Sequence, residues 1–158
     1  MSAIEARLQA LGIALPAPLV LPSRNRTAAV MMGEALYLSG HGAALLEDPA
    51  LKRRGKVGVG LSEEEAESVA RGLAIKMLAT IKAEIGDLDR VRKVVKITGF
   101  INAPPDFERP NRVLNGASDL FLAVFGESVA RHARSSLVVA GLVDDQPVEI
   151  EGVFWVRP

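Results

Sequence analysis

Residues 61–86, LSEEEAESVARGLAIKMLATIKAEIG, constrain the fold more than any other stretch of the chain. Ser62 and Glu65 have the spacing of a capping box, the acids of the first turn complement the helix dipole, and Gly86 supplies a stop. Val69, Leu73, Met77 and Ile81 recur at helical spacing, so one stripe of this helix must be buried. A second helical run, RPNRVLNGASDLFLAVFGE, carries Val113, Ala117, Leu120, Phe121 and Val124 on its stripe and Gly126 near its end.

The stretches around these helices read as strands. VRKVVKITGFIN is β-branched and partly alternating, and Pro104-Pro105 ends it. TAAVMMGEALYLSG sets two apolar runs either side of Gly33-Glu34, a hairpin that leaves Ser39 at a strand end. Arg134 to Leu142 and Pro147 to Arg157 form two further strands joined by VDDQ, read as a closing hairpin. Ile4, Leu8 and Leu11 mark a short first helix, broken by Gly12, Pro16 and Pro18. HGAALLEDPALKRRGKVGVG, residues 41–60, reads as a long surface loop. The order predicts an α+β domain with both long helices on one face of a mixed sheet. It is one domain over residues 1–158, with an N-terminal helix and extended connector over 1–26 and a core over 27–158.

Composition narrows the chemistry. Nineteen basic side chains balance nineteen acidic ones, so no long-range field gathers a polyanion and nucleic acid is disfavoured as a partner. The chain has no cysteine, which removes thiol catalysis and thiolate metal sites, and its two histidines make a poor metal site. No apolar stretch approaches the ~20 residues that cross a bilayer, and the N-terminal residues lack a signal-peptide core, so the expected location is the cytoplasm.

The last hairpin is where charge and apolar residues mix. With its turn at Asp144-Asp145, Arg134 stands opposite Trp155 and Glu149 opposite Ala140. Leu137, Val139, Val148, Ile150, Phe154 and Val156 then share an apolar face beneath the helices. Arg134, Ser136, Glu149, Glu151 and Trp155 share the other, which is too apolar for a solvated surface and predicts cover by a second copy of the chain. In that register Arg134 and Glu149 lie about six pairing steps apart, roughly 20 Å at ~3.3 Å per residue. They do not meet in one chain, so a ligand touching both sits between subunits.

These residues resemble the RidA (YjgF) family, also known under the label endoribonuclease L-PSP. The resemblance rests on Ser39-Gly40 after the first hairpin, on Ala133-Arg134-Ser135, and on Val148 to Glu151, and runs from about Thr27 to Arg157. LNGASDLFLAVFGE followed by RHARSSLVVAGL is similar to a divergent branch that carries NGASDL and HARS. The resemblance implies a chorismate-mutase-like fold and a homotrimer with ligand clefts between subunits. It also implies hydrolysis of reactive enamines and imines, such as 2-aminoacrylate, to 2-oxo acids and ammonia, with no cofactor and no metal. Arg134 matches the arginine that grips the substrate carboxylate, a task suited to the guanidinium fork. Glu149 matches the glutamate that positions water; Ser39, Gly40 and Asn115 match pocket-lining positions. The chain departs from the family in SRNRT, where a tyrosine is common, and at Ser136, where many members have cysteine.

Each assignment has a plainer counterpart. Arg134 pairs with Glu151 across an interface, Glu149 is a solvated carboxylate, and Ser39 merely ends a strand. His41 is a further site candidate in a glycine-rich loop, with a plain surface histidine as its alternative. Lys52, Arg53, Arg54 and Lys56 suggest an anion or RNA, yet no aromatic residue is interleaved with them for base stacking, so a solvated loop is preferred. The leading function is therefore hydrolysis of a small carboxylate-bearing metabolite. The alternative is a non-catalytic trimer that binds such a carboxylate. RNA cleavage lacks a general acid/base pair.

Overall fold

The protein is known from a computed structural model, which describes residues 2–157. The expected long helix is α2, Glu63–Ile85, with both halves of the Ser62/Glu65 capping box formed and Gly86 at φ 81° ending it. The second is α3, Pro110–Phe125, followed by a single turn, α4, Glu127–Ala130. The short N-terminal helix α1, Ala3–Ala10, is capped by Ser2 and held by Asp89, whose carboxylate accepts from the amides of Ala3 and Ile4 at 2.8 Å each. Among the described residues no helix is long and apolar enough to cross a membrane.

The five strands are β1 (Ala29–Met32), β2 (Ala35–Gly42), β3 (Val91–Asn102), β4 (Ala133–Val139) and β5 (Val148–Val156). They form one mixed sheet in the order β1-β2-β5-β3-β4. The first hairpin is as expected, but the closing hairpin is not: β4 and β5 lie on opposite sides of β3. β5 runs antiparallel to both β2 and β3, whereas β4 pairs with β3 in parallel through the α3 crossover, with Arg134 beside Ile97. The reason lies in the connector 140–147, which passes over the end of β3 instead of turning back. Asn102, fully buried at that end, donates its amide to the Pro147 carbonyl (2.9 Å) and its Nδ2 to Asp145 Oδ1 (3.0 Å) and the Gln146 carbonyl (3.3 Å). The connector is thereby capped onto a strand that already separates β4 from β5.

Both long helices cover one face of the sheet. Gly116 lets α3 approach α2 so closely that a Cβ there would strike the Glu67 carbonyl and come within 3.1 Å of the Arg71 amide. Phe121 of α3 meets the ring of Phe154 edge-on at 5.8 Å, joining helix to β5. β5 alternates as expected, with Val148, Ile150, Phe154 and Val156 buried. On β4 the expected phase is reversed: Leu137 is 46% exposed on the open face, while Val138 packs against the core. Arg134 and Ser136 therefore point towards α3, because they are level with Ile97 and Gly99, which face the helices. The open face carries the exposed apolar side chains Val30, Met32, Tyr37, Leu137 and Trp155.

Candidate functional site

Arg134 is half-buried where edge strand β4 passes under α3. Asn111, Asn115 and Ser118 lie on one stripe of α3, four and three residues apart. Arg134 Nη1 donates to Asn115 Oδ1 (2.9 Å) and Ser118 Oγ (3.0 Å), and Nη2 donates to the Asn111 carbonyl (3.3 Å). The guanidinium is thus fixed by three neutral acceptors, and it has no ion pair among the described residues. Within one chain Arg134 cannot pair with Glu151, which lies on the other face of the sheet, so a bridge between them would have to cross an interface. Burial lowers the Arg134 pKa while the negative charge of Asp119 raises it, and an arginine remains cationic under both influences. Among the described residues its Nε–H donates to no side chain or carbonyl, and Arg134 lines a cavity of about 270 Å³ with Ser118, Asp119, Leu122, Arg131 and His132.

Ser118 also touches His132. The His132 Nδ1 lies 2.6 Å from the Ala130 carbonyl, so Nδ1 carries the proton and Nε2 accepts from Ser118 Oγ at 3.1 Å. A directed chain follows, from Arg134 through the Ser118 hydroxyl to a neutral His132. Burial, opposed by the Ala130 contact and joined by the charges of Arg134 and Lys93, lowers the His132 pKa and keeps that chain in one polarity.

The second cluster is built on a β-bulge. Between Leu38 and His41 the register of β2 against β5 slips by one residue, so Ser39 lies within the strand and not at its end. Ser39 Oγ donates to the Thr27 carbonyl at 2.6 Å. Gly40 faces Glu149: a Cβ there would lie 2.8 Å from the Glu149 Cδ, inside any real contact distance. Gly42 makes the same room for Gln146, whose Cδ a Cβ would meet at 2.5 Å. Gln146 takes the Ala44 amide proton on Oε1 (3.2 Å) and donates Nε2 to Glu149 Oε2 (3.1 Å). Burial, with Glu151 adding negative charge nearby, pushes the Glu149 carboxyl above its ordinary value.

His41 corrects the loop expectation. It is fully buried on the helix side of β2, directly opposite Ile150. Nδ1 lies 2.7 Å from the Ser39 carbonyl and must donate to it; Nε2 lies 2.9 Å from Thr80 Oγ1 of α2 and accepts. Burial, reinforced by the Lys76 charge, lowers its pKa to about 4 against the opposing pull of the Ser39 contact. His41 does not contact a ligand on the open face; it ties the bulge to α2.

Gly40 and Glu149 come together, with Ser39 next to Gly40 in the chain but its hydroxyl turned to the Thr27 carbonyl, and so do Asn115 and Arg134. The two groups do not join, because Glu149 is on the open face and Arg134 on the helix face, with β3 between their strands. The roughly 20 Å spacing rested on the hairpin register and falls with it, but the separation of the two side chains stands on the pairing now seen. Ser118 and Gln146 are polar contributors that the sequence reading did not single out. Their signal was positional: Ser118 is one helical turn from Asn115, and Gln146 directly precedes Pro147 and β5.

Comparisons with known proteins agree with this architecture. A family model described as YjgF/chorismate-mutase-like, putative endoribonuclease, matches residues 5–143. Protein TCP17 of Trypanosoma cruzi is 40% identical over 150 residues, covering 95% of this chain and 92% of that protein. A solved structure of an Agrobacterium tumefaciens protein of unknown function has a TM-score of 0.86 at 34% identity, over 98% of this chain and 92% of the other. A Shewanella oneidensis protein with the endoribonuclease label gives a TM-score of 0.88 at 24% identity, over 98% and 100%, a likeness of fold.

Proposed function

The chain belongs to the YjgF/RidA family, and from that premise we propose that it hydrolyses small enamine or imine carboxylates of the 2-aminoacrylate type to 2-oxo acids and ammonia. The observation that carries the proposal is the state of Arg134. Its fork is held by Asn115, Ser118 and the Asn111 carbonyl, yet among the described residues no carboxylate pairs with it, and the residue lines a cavity. A guanidinium prepared in this way suits the carboxylate of a small metabolite, with two charge-assisted hydrogen bonds fixing its orientation.

In this mechanism the enamine tautomerises to its imine, water adds to the imine carbon, and its proton passes to nitrogen. The proton of the new hydroxyl then moves to nitrogen as the C–N bond breaks, so that ammonia leaves and a carbonyl remains. Glu149, held by Gln146 beside Gly40, accepts a hydrogen bond from the attacking water and orients it. Ser39 and Gly40 line the same end of the pocket. Such hydrolysis needs positioning and electrostatic help, not a covalent nucleophile.

Since Arg134 and Glu149 face opposite ways in one chain, the proposed site lies between subunits of a homotrimer. The apolar open face supports that assembly, because Val30, Met32, Tyr37, Leu137 and Trp155 leave a surface suited to cover by another copy. The separation of the two side chains also favours a second reading, in which the trimer binds a carboxylate without turning it over. An assay that generates 2-aminoacrylate and follows pyruvate separates the two. Faster pyruvate release, lost in Arg134→Ala, supports hydrolysis. No acceleration, with carboxylate binding retained and lost in Arg134→Ala, assigns the protein to binding alone.

A further inference from the structure

The basic segment Lys52 to Lys56, expected as a solvated loop, is instead docked on the connector that leads into β5. Gly55 donates its amide to the Asp145 carbonyl at 2.7 Å, and Arg54 Nε donates to the Asp144 carbonyl at 2.8 Å. Lys56 Nζ reaches Asn102 Oδ1 and the Ala140 carbonyl, each at 2.6 Å. Arg53 pairs with Glu65 at 2.9 Å. These contacts hold the segment in place and consume most of its donors.

Two cations are left over. Among the described residues, neither the Lys52 ammonium nor the Nη groups of Arg54 have a side-chain or carbonyl partner, and both residues line a cavity of about 400 Å³ with Ala44, Arg53, Asp144 and Gln146. With Nε committed to a carbonyl, Arg54 presents its two Nη groups as a pre-set pair of donors, matched to two oxygens of one anion. Asp144 is the one acid on the cavity wall and Glu65 offsets Arg53, so the cavity keeps a positive balance. Asp144 and Asp145 both hold φ 55°, a conformation side chains rarely adopt, and their carbonyls accept from Arg54 and Gly55 of the docked segment.

We propose that this cavity is an oxyanion site, taking a carboxylate or phosphate group of a small molecule between Lys52 and Arg54. Its wall is shared with the candidate site: buried Gln146 lines the cavity and donates to Glu149 on its other side. The site stands independently of the imine reading, since it rests on the docked segment alone. A polyanionic nucleic acid fits it less well, because the patch is small, the chain carries no net charge, and no aromatic residue is available for stacking.

The test is a titration of the full, assembled chain with inorganic phosphate at low ionic strength, read by amide and side-chain NMR. Phosphate should shift Gly55, Ala44 and the Gln146 side-chain amide together. Arg54→Ala should weaken binding by roughly tenfold or more, as loss of a charge-assisted contact requires. Lys52→Ala, at an exposed position where folding is not at risk, should weaken it too, and Arg92→Ala on β3 should leave it unchanged. Glutarate distinguishes the sources of the anion. Binding lost in both Arg54→Ala and Arg134→Ala assigns the group to the far end of a ligand spanning both arginines. Loss in Arg54→Ala alone assigns a separate anion. If tens of millimolar phosphate leave those signals in place, or shift them equally in wild type, Lys52→Ala and Arg54→Ala, the site does not exist.

Discussion

Acidification should unfold the protein partly through one buried ring, that of His41. Its folded-state pKa is lowered from 6.5 to about 4, chiefly by burial, while an unfolded chain titrates it at the ordinary value. In that interval the unfolded state binds the extra proton, so the neutral ring's contribution is complete above about pH 6.5. It is lost progressively as pH falls towards 4. The gap corresponds to roughly 3 kcal/mol at about 1.4 kcal/mol per unit, a large share of the stability of a domain this size. Urea unfolding of wild type and His41→Asn at a series of pH values isolates it, because the carboxylates common to both chains cancel in the difference. The asparagine side chain of that variant keeps a donor for the Ser39 carbonyl but cannot titrate. Wild type should therefore lose its advantage over the variant between pH 6.5 and 4, while the His41 ring, followed by NMR, stays neutral down to about pH 4. Parallel stability curves for the two proteins, or a ring titrating near 6.5, would refute the assignment of His41 as the buried neutral tie between the bulge and α2.

Three further outcomes follow from the same geometry. Glu149 has a raised folded pKa, so its contribution is present below the unfolded value and is lost as pH rises through the folded one. Glu149→Gln should accordingly gain stability relative to wild type as pH is raised from 4 to 7 in urea titrations. Gly40→Ala places a methyl against the Glu149 carboxyl, which should cost about 1–3 kcal/mol in denaturation and push the carboxyl out of its buried position, so that the burial raising its pKa is relieved and the pKa falls, as NMR would read. Ser118→Ala removes an acceptor of Arg134 and the donor to His132, so carboxylate affinity should drop by roughly threefold to tenfold with little change in fold, as measured by calorimetry.

How much of this was legible before the fold was known depended on whether the deciding contact was local. α2 was, because Ser62, Glu65 and Gly86 act within a turn of themselves, and so was β5, whose alternation is its own record. The partner of β5 was not. Residues 140–147 look like a hairpin connection, and only Asn102, far away in sequence, shows that they run over the end of β3. Once β4 left that hairpin, the phase of its faces changed as well, so Leu137 became exposed and Arg134 turned towards α3. The glycines around His41 misled for a related reason. Gly42 read as a loop residue and Gly40 as the close of a strand, yet neither has positive φ; they are small because Glu149 and Gln146 occupy the space a Cβ would take. Residue types at the candidate site were readable from the family resemblance, whereas Ser118 and Gln146 emerge only from packing.

The opposed directions of Arg134 and Glu149 make the proposed intersubunit site testable without a ligand-bound structure. If each site takes its arginine from one chain and its glutamate from another, Arg134→Ala and Glu149→Ala homotrimers are both inactive but complementary. Unfolding them together in equal amounts and refolding gives random trimers. A site there receives an intact arginine with probability one half and an intact glutamate with probability one half, so about a quarter of the wild-type activity should return. Binding of a carboxylate, which needs Arg134 alone, should return to about half under the same mixing. If both side chains serve a site within one chain, every site keeps one defect and mixing restores no activity. That outcome would require a rearrangement of the sheet to bring opposite faces together, and it would remove the trimer cleft as the seat of the chemistry.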